Sequence, residues 1–136
     1  MSVVIDSSIA LTWFFKDEVS AETEILFEQV RDEGAIVPAL WHLEVSNVLL
    51  QAEKRGRIKP ADVKARLDLI AALPISVDLE TTARAWHEIL TLARAESLTS
   101  YDAAYLELAL RSGLPLLTKD KELARAAIKF GVEVFP

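Results

Sequence analysis

Gly34, Gly56, Gly113 and Gly131 are the only glycines in this chain of 136 residues, and each follows a stretch with helical character. The position just past a helix end often takes left-handed backbone, which glycine adopts without steric cost. Short β-prone runs follow three of these stops: Ala35–Val37, Pro115–Thr118 and Val132–Phe135. Ser2–Asp6 (SVVID) is a further run, and Ile75–Val77 a weaker fifth. Between them the residue pattern predicts helices over Ser8–Phe14, Ala21–Glu33, Ala39–Arg55, Ala61–Leu73, Thr81–Ala95, Ser100–Ser112 and Lys121–Phe130. Strands alternating with helices specify a parallel sheet covered by helices. The strands are continuously apolar, as expected of strands buried on both faces. The expected fold is therefore α/β: a three-layer sandwich with a short, mainly parallel central sheet flanked by helices, in one domain over residues 1–136. In such sheets ligands bind beyond the carboxyl ends of the strands.

Composition narrows the chemistry. At 51% hydrophobic residues, the chain can bury a sizeable core and is not expected to be disordered. No apolar run approaches the roughly 20 residues that cross a bilayer, so no membrane association is expected. No basic flank leads into a long apolar stretch, so a signal peptide is not expected either. The chain has no cysteine, which excludes disulfides, zinc–thiolate sites and thiol nucleophiles. A cytoplasmic location is the default expectation. The net charge of −6 is not that of a typical nucleic-acid binder. The charges are segregated, however: Asp17, Glu18, Glu22, Glu24, Glu28, Asp32 and Glu33 crowd one segment, and Lys54, Arg55, Arg57, Lys59, Lys64 and Arg66 another. Two solvated helix faces explain this pattern. Alternatively, the basic stretch meets a polyanion while the acidic helix faces elsewhere.

Four carboxylates stand where such a fold puts chemistry. Asp6 ends the first strand. It can act as a helix cap, although Ser7 and Ser8 can cap the following helix as well. Glu44 lies in a helix that carries no other charge from Ala39 to Ala52. At 100° per residue, Trp41, Val45, Val48 and Ala52 share one face, and Glu44 falls beside it. Leu43 and Leu50 cover the far side, so this helix is expected to be buried nearly all round. A carboxylate there must be protonated, bound to a metal, or paired with a lysine or arginine from elsewhere. Asn47, one turn on, can orient it. Asp102 opens another apolar helix, where Thr99 and Asp102 have the spacing of a capping box. It shares a face with Leu106 and Ala109 and so points to the core edge. Asp120 follows the strand Pro115–Thr118; it too can cap a helix, and Thr118 offers a hydroxyl at the same strand end.

Two of these acids sit at carboxyl ends of strands, and two sit on helices able to pack at that edge. An all-carboxylate cluster is a hard-oxygen site suited to Mg²⁺ or Mn²⁺. Such a site can activate water and offset charge on a phosphoryl transition state. A cation would also relieve the mutual repulsion of the acids. His42 and His87 show no metal-ligand spacing and read as packing or surface residues. No glycine-rich phosphate loop or nucleophile elbow is present.

The ordered set VVIDSSIAL, PALWHLEVSNVLL, LTSYDAAYLELALRSGLPLLTKDKEL and GVEVF resembles the PIN-domain ribonucleases, and among them the VapC-type toxins of toxin–antitoxin pairs. The resemblance spans nearly the whole chain. It implies that Asp6, Glu44, Asp102 and Asp120 are catalytic metal ligands, with Thr118, Asn47 and Ser7 in support. It further implies Mg²⁺- or Mn²⁺-dependent endonuclease action on RNA, a homodimer, and a small antitoxin protein as partner. Lys119 departs from the family pattern, where an apolar or acidic residue is common, and is a candidate RNA contact together with Lys121 and the Lys54–Arg66 stretch. The competing readings are a catalytically weak PIN-like binding module and a housekeeping ribonuclease outside toxin–antitoxin systems. A phosphate-accepting receiver or aspartate phosphatase fits less well. Asp6 is followed by Ser7 and Ser8 where those chemistries want another acid, and Glu44 has no task in them. The apolar cluster Leu11, Trp13, Phe14 and Phe15 suits either the core or an interface.

Overall fold

The computed structural model describes residues 2–136. Its centre is a sheet of five parallel strands in the order β3-β2-β1-β4-β5. These are β1 (Val3–Ile5), β2 (Ala35–Val37), β3 (Ile75–Val77), β4 (Leu116–Leu117) and β5 (Val134–Phe135). Every adjacent pair is parallel, with Val4 opposite Ile36 on one side and Leu116 on the other. Helices α1 (Ser7–Thr12), α2 (Ala21–Glu33), α3 (Leu40–Lys54), α4 (Pro60–Ala71), α5 (Thr81–Arg84), α6 (Leu90–Glu96), α7 (Ser100–Ser112) and α8 (Lys121–Lys129) flank it. The expected α/β architecture is the one observed.

The strands come out shorter than expected at β1, β4 and β5. The expected helix Thr81–Ala95 is interrupted by a π-helical segment, Ala85–Ile89, between α5 and α6. The central strands β1 and β4 are wholly buried. β3 is not: Ser76 and Val77 are exposed, because an edge strand has a neighbour on one side only. Gly34 combines two demands. Its φ is +83°, and a side-chain carbon there would stand 3.1 Å from the Pro74 carbonyl oxygen.

Helix α3 departs from the expectation of all-round burial. Trp41, Val45, Leu49 and Ala52 are buried, whereas Leu43 is 74% exposed and Val48 and Leu50 are exposed too. The buried stripe therefore runs through Leu49 rather than Val48, and the helix covers the core on one side only. Trp13, Phe14 and Phe15 are core residues, with Leu11 packed against them, which removes the interface reading of that cluster. The turn ahead of α2 meets the basic stretch: the Arg57 guanidinium donates to Asp17 and Glu18 at 3.0 Å and lies over the Phe15 ring. Arg66 donates to the Trp13 carbonyl oxygen at 3.0 Å. Two arginines near the α3–α4 turn thus hold the segment that follows α1.

Candidate metal centre

The strand order reverses direction at β1, which pairs with β2 on one side and β4 on the other. A crevice opens beyond the carboxyl ends at such a reversal. Asp6 follows β1 and Thr118 follows β4, in adjacent register through Ile5 and Leu117. The Asp6 backbone is extended and its carboxylate accepts from the Ile9 amide at 3.3 Å, so Asp6 itself is the cap of α1. Ser8 does not cap. Its hydroxyl donates to Asp6 Oδ1 at 2.6 Å and accepts from the Lys119 amide at 2.8 Å. The Thr118 hydroxyl donates to Asp6 Oδ2 and accepts from the Asp120 amide at 3.0 Å. Asp120 caps α8, accepting from the Leu123 amide at 2.9 Å.

The other two acids arrive on helices. Thr99 caps α7 by accepting from the Asp102 amide at 3.1 Å, the hydroxyl half of the expected capping box. Asp102 is half-buried one turn before Leu106. Glu44, on α3, accepts a hydrogen bond from the Tyr105 hydroxyl. Asn47 is exposed, and the side-chain hydrogen bond shown for Glu44 comes from Tyr105 instead. Ser7 lies at the first position of α1, beside Asp6. Lys119 is exposed next to Asp120, and both histidines are on the surface. Tyr105 and Ser8 were not singled out by sequence as site residues. The available signal was chemical: a phenol inside an apolar helix needs an acceptor, and a half-buried glutamate needs a donor.

Electrostatics link the four acids. Burial raises the Asp6 carboxyl above its ordinary range against the pull of its hydrogen bonds, and Asp102 adds to the rise. Burial, with the negative charges of Asp102 and Asp6, raises Glu44. Burial and the nearby Asp120 charge raise Asp102. Among the described residues no lysine or arginine forms an ion pair with any of these acids. The expected alternative of a structural lysine or arginine partner for Glu44 is therefore absent within that set. In donor type and charge the four residues suit a hard divalent cation. No three of the described acids or histidines stand close enough to enclose an ion as they are, so binding would draw the carboxylates together.

A second acidic group lies elsewhere. Arg111 on α7 donates to Asp78 at 2.8 Å, to Glu107 at 2.9 Å and to Glu80 at 3.4 Å. Thr81 adds a 2.6 Å bond to Asp78, whose carboxyl is held down at about 2, chiefly by Arg111.

Several known proteins are similar to this chain. Ribonuclease VapC3 of Pyrobaculum aerophilum is 28% identical over 136 residues, covering 100% of both chains. Ribonuclease VapC3 of Mycobacterium tuberculosis (strain H37Rv) is 35% identical over 91 residues, 65% of this chain and 62% of that protein. The crystal structure of PAE2754 from Pyrobaculum aerophilum superposes with a TM-score of 0.72 at 25% identity, covering 98% of this chain and 92% of that one. FitAcB from Neisseria gonorrhoeae shares the fold, with a TM-score of 0.57 at 17% identity over 100% of this chain and 97% of that one. The family model for the PIN domain matches residues 3–129, and the chain belongs to that family.

Proposed function

We propose that this protein is a divalent-metal-dependent endoribonuclease, the toxin of a toxin–antitoxin pair. One observation carries the reading. Of the four buried acids among the described residues, Asp78, Glu96 and Glu107 are ion-paired, whereas Asp6 has no cation and stands in a set of coupled carboxylates at the sheet's crevice. Holding like charges together unpaired costs stability and marks a functional site. Full-length similarity to a ribonuclease VapC supports RNA as the substrate.

Asp6, Glu44, Asp102 and Asp120 would hold Mg²⁺ or Mn²⁺ through oxygen. When bound, such an ion makes water a nucleophile at neutral pH and offsets charge on the phosphate. Ser8 and Thr118 fix the Asp6 carboxylate, one on each oxygen. The hydrogen bond from the Asp120 backbone N–H to the Thr118 hydroxyl ties the second strand end to the same unit. Lys119, exposed beside Asp120, would hold a flanking RNA phosphate, and the exposed Lys54, Arg55 and Lys59 are separate candidates for the same task. Arg57 is engaged by Asp17 and Glu18. A small antitoxin protein as partner, a homodimer and a cytoplasmic location belong to the same reading. No helix among the described residues is long and apolar enough to cross a membrane.

The test is incubation with pooled transfer and ribosomal RNA, with Mg²⁺ or Mn²⁺, beside EDTA and Asp6→Ala controls. Discrete cleavage that needs both metal and Asp6 is the expected result. Cleavage that persists in EDTA or without Asp6 would overturn the reading.

A further inference from the structure

We propose that Tyr105 is a positioning residue of this centre: its buried hydroxyl, donated to Glu44 Oε1, holds the Glu44 carboxylate toward Asp6 and Asp102. This rests on the reading of the four acids as a cation site. Tyr105 is 1% exposed, its ring fixed in the core on α7. Glu44 reaches the site from a different element, α3, on a side chain with several rotatable bonds. The bond from Tyr105 is the only side-chain hydrogen bond shown for Glu44 among the described residues. It occupies one carboxylate oxygen and leaves the other free to face an ion.

Tyr105 stands three residues after Asp102, so the two share a face of α7. One helix thus delivers Asp102 directly and fixes Glu44 through the phenol. Asp6 has an equivalent arrangement, with Ser8 and Thr118 as its donors. Supporting hydrogen bonds of this kind orient metal ligands, and their loss typically costs about 10–100-fold in metal affinity.

The test is Mn²⁺ titration calorimetry on the wild type, Tyr105→Phe, Glu44→Ala and the double variant, each with a thermal melt. Phenylalanine keeps the ring and removes only the hydroxyl. Tyr105→Phe is expected to bind Mn²⁺ about 10–100-fold more weakly, and to add no further loss in the Glu44→Ala background. A Tyr105→Phe protein that melts lower but binds Mn²⁺ like the wild type would overturn the proposal, leaving the four-acid reading intact. So would a loss in the double variant that simply adds to that of Glu44→Ala. A wild type that binds no Mn²⁺ would overturn both readings. Should Tyr105→Phe not fold, the Raman Fermi doublet of Tyr105 in a Tyr101→Phe protein decides. A donor signature kept on Mn²⁺ saturation supports positioning, and its disappearance contradicts it.

Discussion

Asp6 and Asp78 each follow a parallel strand of one sheet and each is buried, yet their surroundings act on them in opposite directions. Asp78 meets Arg111 at 2.8 Å and a threonine hydroxyl, and its carboxyl is depressed to about 2. Asp6 meets hydroxyls and an amide, has other carboxylates for charged neighbours, and is raised. Burial disfavours the charged form in both; at Asp78 the Arg111 guanidinium, helped by the Thr81 hydroxyl, outweighs it, and at Asp6 the hydrogen bonds alone do not. The Arg111 cluster is thus complete in itself. The Asp6 cluster has no such partner among the described residues, and on the function proposed above a bound metal would supply it.

The comparison breaks most visibly at Arg111. Replacing it with methionine leaves Asp78 and Glu107 buried without their shared cation. A loss of about 3–5 kcal/mol is expected, read by urea unfolding; a loss under about 1 kcal/mol would mean the cluster contributes little.

The acid limb of stability comes next. Asp78 is lower in the fold than in the unfolded chain. Its contribution, about 2 kcal/mol, is present above the unfolded value near 4 and lost as pH falls toward about 2. Asp78→Asn should flatten that limb. Asp6, Glu44 and Asp102 work in the other sense. Their charged forms are disfavoured in the fold, so the metal-free protein should lose stability as pH rises from about 4 through the folded values. Melting curves against pH, with and without Mn²⁺, should show the cation restoring stability at neutral pH.

A smaller effect follows for Asp102→Asn. It removes one repelling charge, so the metal-free melting temperature should rise by a few degrees at neutral pH, with no gain below pH of about 4. With Mn²⁺ present the sign should reverse, because a ligand is lost. The smallest effect expected is at Ser8. Ser8→Ala removes one bond to Asp6 and one from the Lys119 amide, at a cost near 1 kcal/mol.

The fold was legible because glycine stops, apolar strands and helical periodicity agreed with one another. Gly34 and Gly113 do end helices in left-handed backbone, and the strands they precede do pair in parallel. Burial around α3 was misread because helix composition reports apolar content but not how many neighbours cover it. Leu43 and Leu50 face solvent despite their chemistry. The four acids were visible one by one, and the structure couples them electrostatically. Their supporting shell was not visible. A hydroxyl can cap a helix or bind a carboxylate, and only tertiary placement decides, as Ser8 shows by bridging Asp6 and Lys119. Tyr105 reaches Glu44 across 61 positions of chain, beyond any local pattern.

The most direct test of the central claim is a Mn²⁺ titration of the metal-free protein beside its Asp6→Asn and Asp78→Asn variants. Saturable binding by the wild type, lost in Asp6→Asn and kept in Asp78→Asn, is the expected result. No binding by the wild type, or binding indifferent to Asp6, would contradict the assignment of the four carboxylates as a metal centre.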